Sequence, residues 1–175
     1  LQELARDDDE SRVAIAAAGG VEVLVSLARD GNEGQKEDAV RALWNLSAND
    51  ELKVAIAAAG GIEVLVSLAR DGNEEQKEGA AGALWNLSAK DDNKAAIVAA
   101  GGIELFVAMA RDGNEEQKEN AVGALANLAV NDDNSVAIAA AGGVGGRRDR
   151  GACWRSLFRW LAMGLRGRRC VRRAC

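Results

Sequence analysis

The stretch Gly60–Ser88 reads GGIEVLVSLARDGNEEQKEGAAGALWNLS, and closely similar text stands 41 residues before and 41 residues after it. A glycine pair opens each copy, and pairs begin at positions 19, 60, 101 and 142. A repeat of this length is typical of solenoids, propellers and other arrays. Propeller blades need several short strands separated by turn signals, which this text lacks. The period therefore predicts a stacked helical array.

Three helical segments are predicted within the first repeat. Arg12–Ala18 is rich in Ala, which favours helix, and a glycine pair ends it. Val21–Arg29 also alternates like a strand, so its pattern alone is ambiguous. We predict a helix, because its apolar residues also form a stripe at helical spacing, which consists of Val21, Leu24, Val25 and Ala28. Glu33–Ala48 follows Asn32, a good N-cap, and Gln35 three residues later completes a capping-box pattern.

Charge divides the chain into an acidic body and a basic tail. Residues 144–175 contain ten Arg and one Asp, so they carry +9, and the net charge of −5 leaves −14 on residues 1–143. All cysteines lie in the tail, at Cys153, Cys170 and Cys175. No signal peptide and no apolar run of membrane-spanning length is visible. We therefore expect a soluble cytoplasmic protein, with the nucleus as the alternative, and the initial Leu1 suggests a piece of a longer chain.

The sequence offers no constellation of residues for catalysis. Histidine is absent, and cysteine occurs only in the tail. The acidic runs, such as Asp91-Asp92, fall in predicted connections and are interpreted as solvated loop charges. The Gly-rich segments match neither a phosphate-binding loop nor a dinucleotide-binding fingerprint, and no acidic loop matches an EF-hand. We expect a protein that is not an enzyme, with no cofactor, no metal and no small-molecule substrate.

A short, a medium and a long helix per repeat, with a glycine pair after the first, resemble the armadillo repeat. The text AAGGIEVLVSLARDGNEEQKEGAAGALWNLS is similar to armadillo arrays of plant and protist type. The resemblance implies an all-α, right-handed armadillo-type solenoid. Residues 1–11 are predicted to be the end of a preceding repeat. Three full repeats follow at residues 12–52, 53–93 and 94–134, and residues 135–143 are the first helix of a fourth. Residues 144–175 are interpreted as a non-native or disordered basic tail. A two-helix HEAT array is the alternative fold, and the separate first helix argues against it.

The resemblance also implies a function, because the third helices of armadillo arrays line a concave groove. We therefore expect a protein–protein interaction scaffold that binds an extended segment of a partner. The residues that would face that segment lie opposite the buried stripe of each third helix: Glu37, Arg41, Asn45, Glu78, Asn86, Glu119 and Asn127. Trp44 and Trp85 belong to the same set but lie at the border of core and groove, where we expect them to pack between repeats with one edge exposed. An Asn at this place in the family bonds the ligand backbone, since an amide both donates and accepts. The alternative interpretation is that the three Asn residues tie down loops of their own repeats.

The nuclear-import adaptors of the family differ from this sequence at one groove position. They carry a Trp one turn before the Asn, where this chain has Arg41, Gly82 and Gly123. Trp44 and Trp85 instead precede the Asn directly, which makes recognition of nuclear signals doubtful. The acidic groove residues outnumber Arg41, so a basic or neutral partner segment is expected. Neither a membrane nor a nucleic acid is expected as a partner of the groove.

Two interpretations of the basic tail are open. Its Arg residues, with Trp154, Phe158 and Trp160, could bind nucleic acid or another acidic surface through residues 147–173. Alternatively, the tail is an out-of-frame repeat. When Leu157–Gly164 is back-translated and read one base earlier, its codons allow V-S-L-A-R-D-G, the text of Val25–Gly31. We prefer the second interpretation, although the spacing from the glycine pair is ten residues too long.

Overall fold

The computed structural model describes the backbone of residues 2–142 and the side chains of residues 10–142, and within that range the chain is helical throughout, with no strand. Its ten helices are α1 Gln2–Ala17, α2 Gly20–Asp30, α3 Glu33–Leu46, α4 Asp50–Ala58, α5 Gly61–Asp71, α6 Glu74–Ser88, α7 Asp91–Ala99, α8 Gly102–Asp112, α9 Glu115–Leu128 and α10 Asp132–Ala141. The interpretations of residues 144–175 concern a segment outside the described residues. Among the described helices none is long and apolar enough by itself to cross a membrane; three helix pairs reach that length and composition together, but they bend by 76°, 85° and 82°.

The glycine pair sets the corner between the first and second helices of a repeat. Gly60 has a φ of 75°, in the left-handed region that side chains other than Gly rarely adopt. A Cβ on Gly61 would lie 2.6 Å from Cγ2 of Ile56, so the second glycine is needed for close packing of the corner. The segment that alternates like a strand is a helix in every repeat, which confirms the predicted helix.

Capping fixes the start of each third helix. Asn32, Asn73 and Asn114 each accept a bond from a backbone N–H three residues on, and the Gln at that position bonds back to the cap. The predicted capping box is therefore present in all three repeats. Two reciprocal bonds satisfy N–H groups that a helix start otherwise leaves without partners.

The third helices stack on one another to form the spine of the array. Helix α3 packs against α6, and α6 packs against α9, while α2, α5 and α8 pack alongside them. Their apolar stripes form one core that includes Leu43, Leu65, Leu84, Phe106 and Leu128. This stacking confirms an all-α solenoid with three helices per repeat.

The first helix differs in length from its counterparts in later repeats. The unit boundary predicted between residues 11 and 12 stays a prediction, and α1 runs without interruption across it, from Gln2 to Ala17. At the next such boundary, Asn49 caps α4 by accepting from the N–H groups of Glu51 and Leu52. The position equivalent to Asn49 is Asp8, which lies within α1.

Candidate functional site

A cavity of about 280 Å³ lies between the third helices of the first and second repeats. Its lining residues come from α3 and α6: Glu37, Arg41, Trp44, Glu75, Glu78 and Gly79. Four of these were predicted from the sequence as groove residues. Glu75 was missed, although its spacing of three residues from Glu78 places both on one helix face.

The charge of this cavity is acidic in spite of Arg41. One guanidinium nitrogen lies 3.5 Å from Asp38 Oδ1, and the other lies 3.5 Å from Glu75 Oε2. Arg41 is thus shared between two exposed carboxylates, and such surface pairs contribute little stability. Glu37 and Glu78 leave a net negative charge in the cavity.

The next section of the groove, between α6 and α9, is acidic without a cation like Arg41. Gly82 and Gly123 occupy the positions equivalent to Arg41. The pKa of Glu78 is raised, chiefly by partial burial and then by the hydrogen bond and charge of Glu116, with a further contribution from the charge of Glu75. Carboxylates this close repel one another when ionised, and a cation between them would relieve that repulsion. Glu116 was also missed from the sequence.

The groove acids also connect neighbouring repeats. Asn73 Nδ2 donates to Glu37 Oε1 at 2.6 Å while the oxygen of the same amide caps α6. Asn114 bonds Glu78 in the equivalent way, which opposes the rise in the pKa of that carboxyl. Glu119 lies at the equivalent position of α9 and is exposed. The first two predicted acids are therefore held in fixed orientations by the following repeat.

Two of the three predicted groove Asn side chains, Asn86 and Asn127, are held by bonds to the previous repeat. Asn86 Nδ2 donates to Ser47 Oγ at 3.0 Å, and Asn127 Nδ2 donates to Ser88 Oγ at 2.9 Å. Ser47 in turn donates to the carbonyl oxygen of Trp44. These contacts join neighbouring repeats rather than loops of one repeat. Asn45 is exposed on α3. The Ser residues recur with the same period, which is the signal that would have revealed them.

Each of the two described Trp side chains covers a glycine of the next third helix. A Cβ on Gly82 would lie 2.6 Å from Trp44 Cε2, and one on Gly123 would clash with Trp85 Nε1 in the same way. The indoles thus pack between repeats, and Trp85 keeps 37% of its surface exposed. The glycines in the place of the adaptor Trp have a steric reason, because they make room for the indole of the preceding repeat.

Other parts of the described structure offer less to a ligand. A second cavity of about 390 Å³ lies among α5, α6, α8 and α9, but its lining mixes both charge signs, including Arg70, Lys77 and Asp112. No group of three or more His, Cys, Asp or Glu side chains between residues 10 and 142 is arranged to hold a metal ion.

Comparisons with known proteins agree with this geometry. A family model described as armadillo/beta-catenin-like repeat matches residues 8–48, 49–89 and 90–130 in three consecutive units. The comparison with curated proteins gave no match.

Solved structures resemble the chain along most of its described length. An engineered protein is 41% identical with a TM-score of 0.71, over 77% of this chain and 56% of its own. A second engineered protein is 42% identical with a TM-score of 0.73, and the match covers 78% of this chain and 34% of that protein. A designed armadillo repeat protein in complex with the peptide (KR)4 is 29% identical with a TM-score of 0.70, over 76% and 57%. The chain thus spans about half, or less, of the length of these structures.

Proposed function

The chain belongs to the armadillo/beta-catenin-like repeat family, and on that premise we propose that it is a non-catalytic scaffold for another protein. Its ligand is an extended, basic segment that lies along α3, α6 and α9. The observation that carries the proposal is the row of carboxylates along the groove. In the section between α3 and α6 they lie beside the indole of Trp44, and the section between α6 and α9 adds the acidic pair Glu78 and Glu116.

The chemistry of this row suits Lys and Arg side chains. Their aliphatic stems can lie along an exposed indole edge, and their charged ends can reach the carboxylates. Charge-assisted bonds of this kind are stronger than bonds between neutral groups. The first section would bind a cation less tightly, because Arg41 already neutralises Glu75.

The Asn side chains supply a means of holding the peptide backbone. In the described structure Asn86 uses one N–H on Ser47, and its amide oxygen and second N–H have no bond there. A peptide unit offers one donor and one acceptor, which the remaining groups of the amide match. The bond to Ser47 orients the amide before the ligand arrives, and this lowers the entropy cost of binding.

Similar solved structures support a peptide ligand. One of them is a designed armadillo repeat protein in complex with (KR)4. Another, 32% identical with a TM-score of 0.72 over 76% of this chain and 57% of its own, is a computationally designed armadillo repeat protein for modular peptide recognition. Carried over to this chain, these descriptions favour an alternating basic peptide as the first probe.

The test is a calorimetric titration of the full chain with (KR)4 peptides made of L- or D-residues. Both peptides have the same charge, but only one has the handedness that a fixed row of amides can match. We expect tighter binding of the L-peptide. Replacing Asn45, Asn86 and Asn127 with Ala should cost about 0.5–1.5 kcal/mol of binding for each lost bond, or roughly ten- to a thousand-fold if the losses add.

Two results would contradict the proposal. Equal affinity for the two enantiomers would show that only charge is sensed. Unchanged affinity of the triple Asn variant for the L-peptide would show that the amides do not hold the peptide backbone. Thermal melts of the triple Asn variant serve as the control, because each Ala substitution at 86 and 127 also removes a bond to a Ser of the preceding repeat.

A further inference from the structure

Asn120 carries a buried polar group that has no partner. The residue is 4% exposed, and its Nδ2 atom makes no hydrogen bond among the described residues. Buried N–H groups in proteins are bonded almost without exception, because an unpaired one has lost its hydrogen bonds to water and gained nothing. The amide of Asn120 therefore calls for an acceptor that the ligand-free chain does not provide.

The repeat places Asn120 at the base of the groove, in the section between α6 and α9. Its position on α9 is that of Gly79 on α6, and Gly79 lines the cavity of the preceding section. Side chains of a helix lean toward its N-terminal end, so the amide is directed at the turn that carries Glu116, four residues earlier. Residues at this spacing are neighbours on a helix surface, and the carboxylate of Glu116 is thus an acceptor within reach of the amide.

In the ligand-free chain, however, Glu116 is bonded to another carboxyl group. It shares a hydrogen bond with Glu78 of α6, and such a bond needs a proton between the two carboxyls. Burial raises the pKa of Glu78, the bond to Glu116 and the charges of Glu116 and Glu75 add to the rise, and the bond to Asn114 opposes it. From α3, Arg41 approaches Glu75 at 3.5 Å.

The first section of the groove differs at both positions. There Glu75 stands in the place of Glu116, and the guanidinium of Arg41 lies 3.5 Å from it. Gly79 stands in the place of Asn120. A carboxylate that already has a cation needs neither a shared proton nor an amide. The paired carboxyls and the unpaired amide thus occur together in the section between α6 and α9, where one event can resolve both.

We propose that the section between α6 and α9 takes one Lys or Arg side chain of the ligand in exchange for a proton, with Asn120 as the positioning residue. The cation lies between Glu78 and Glu116, and the proton that the two carboxyls share passes to the solvent. Glu116, released from Glu78, accepts a hydrogen bond from Asn120 Nδ2. This inference rests on the proposed function, because it states how one section of the same groove receives a basic ligand.

The exchange is tested by calorimetric titration of the full chain with L-(KR)4 in buffers of different ionisation enthalpy. The dependence of the heat on the buffer gives the number of protons released. We expect a release of up to about one proton at pH 5 and almost none at pH 8, where both carboxyls are already ionised. Glu78→Gln should abolish the release. Glu37→Gln is the matched control in the first section and should leave the release in place.

The substitution Asn120→Leu separates a positioning role from a structural one. Leu keeps the branched shape and removes the unpaired N–H, so the melting temperature should stay the same or rise. The affinity for L-(KR)4 should fall by about two- to tenfold, because Glu116 loses the donor that holds it in the bound orientation. A residue that only supported the fold would do the opposite, with a lower melting temperature and an unchanged affinity.

Two results would overturn the proposal. Binding of the L-peptide at pH 5 without proton release would refute the exchange and leave the groove as the peptide site. Unchanged affinity of the Asn120→Leu chain would remove Asn120 from the site. The proton count on the unsubstituted chain decides the exchange even if the Leu side chain does not fit. Absence of any binding would refute the proposed function itself, and the exchange with it.

Discussion

The contact between Trp44 and Gly82 gives the sharpest stability prediction. A Cβ added to Gly82 would lie 2.6 Å from Cε2, 2.8 Å from Nε1 and 3.0 Å from Cδ2 of the indole. All three atoms belong to a rigid ring whose position is set by two neighbouring helices. The substitution Gly82→Ala therefore has to move the ring or increase the distance between α3 and α6.

The expected magnitude follows from two opposing effects. Overpacking a well-filled site typically costs about 1–3 kcal/mol, and replacing Gly by Ala in a helix gains about 0.8–1 kcal/mol. The net effect of Gly82→Ala is a loss of about 0–2 kcal/mol of unfolding free energy. Gly34→Ala is the matched control, because the nearest atom to a Cβ there is 3.7 Å away. It should gain up to about 1 kcal/mol, and less than an interior position would, because Gly34 lies in the first turn of α3.

Urea unfolding followed by circular dichroism measures these changes, and a double-mutant cycle assigns the cause. In a Trp44→Ala background, Gly82→Ala should become stabilising by about 0.8–1 kcal/mol, because the clash is gone and only the helix preference remains. The reasoning is refuted if Gly82→Ala stabilises as much as Gly34→Ala in the native background, or if the Trp44 substitution does not change its effect.

Three further predictions concern the groove. Asn86→Ala and Ser47→Ala should each lower the unfolding free energy by about 0.5–1.5 kcal/mol, since each removes the same hydrogen bond; in calorimetry with L-(KR)4, the first should weaken binding more than the second. Burial and the neighbouring Glu116 raise the pKa of Glu78, so its ionisation destabilises the fold at pH values above that pKa. Glu78→Gln should therefore raise the urea midpoint at pH 7 and change it little near pH 4. Arg41→Ala should tighten L-(KR)4 binding by about two- to fivefold at low salt, and an unchanged affinity would show that this cation lies outside the site.

Local signals were sufficient to predict the helices. The glycine corner at Gly60-Gly61 and the cap at Asn32 act within a few residues of sequence, so the pattern alone places the helix starts. The unit boundaries rest on a weaker signal. The boundary predicted after residue 11 came from alignment with later repeats, and α1 continues across it although Asp8 stands at the position where Asn49 caps α4.

The candidate site was harder to predict because its contacts join residues about one repeat apart. The bond between Asn86 and Ser47 spans 39 positions, and the bond between Asn73 and Glu37 spans 36. A helical wheel places Asn86 on the exposed side of its own helix, but it cannot show that the preceding repeat supplies a hydroxyl there. The wheel likewise predicted Glu78 as a groove residue but missed Glu75. Both line a cavity between α3 and α6, and a wheel of one helix cannot show which residues face its neighbour.

The central claim is that the peptide binds in the groove. The most direct test follows the indole N–H signals of the Trp residues by NMR while the full chain is titrated with L-(KR)4. The chain has four Trp residues, two in the groove at Trp44 and Trp85 and two in the basic tail at Trp154 and Trp160. We expect saturable shifts of the two groove signals, and we expect the two tail signals to stay in place. Shifts confined to Trp154 and Trp160, or the same shifts of Trp44 and Trp85 with the D-peptide, would contradict a groove that holds an extended peptide by its backbone.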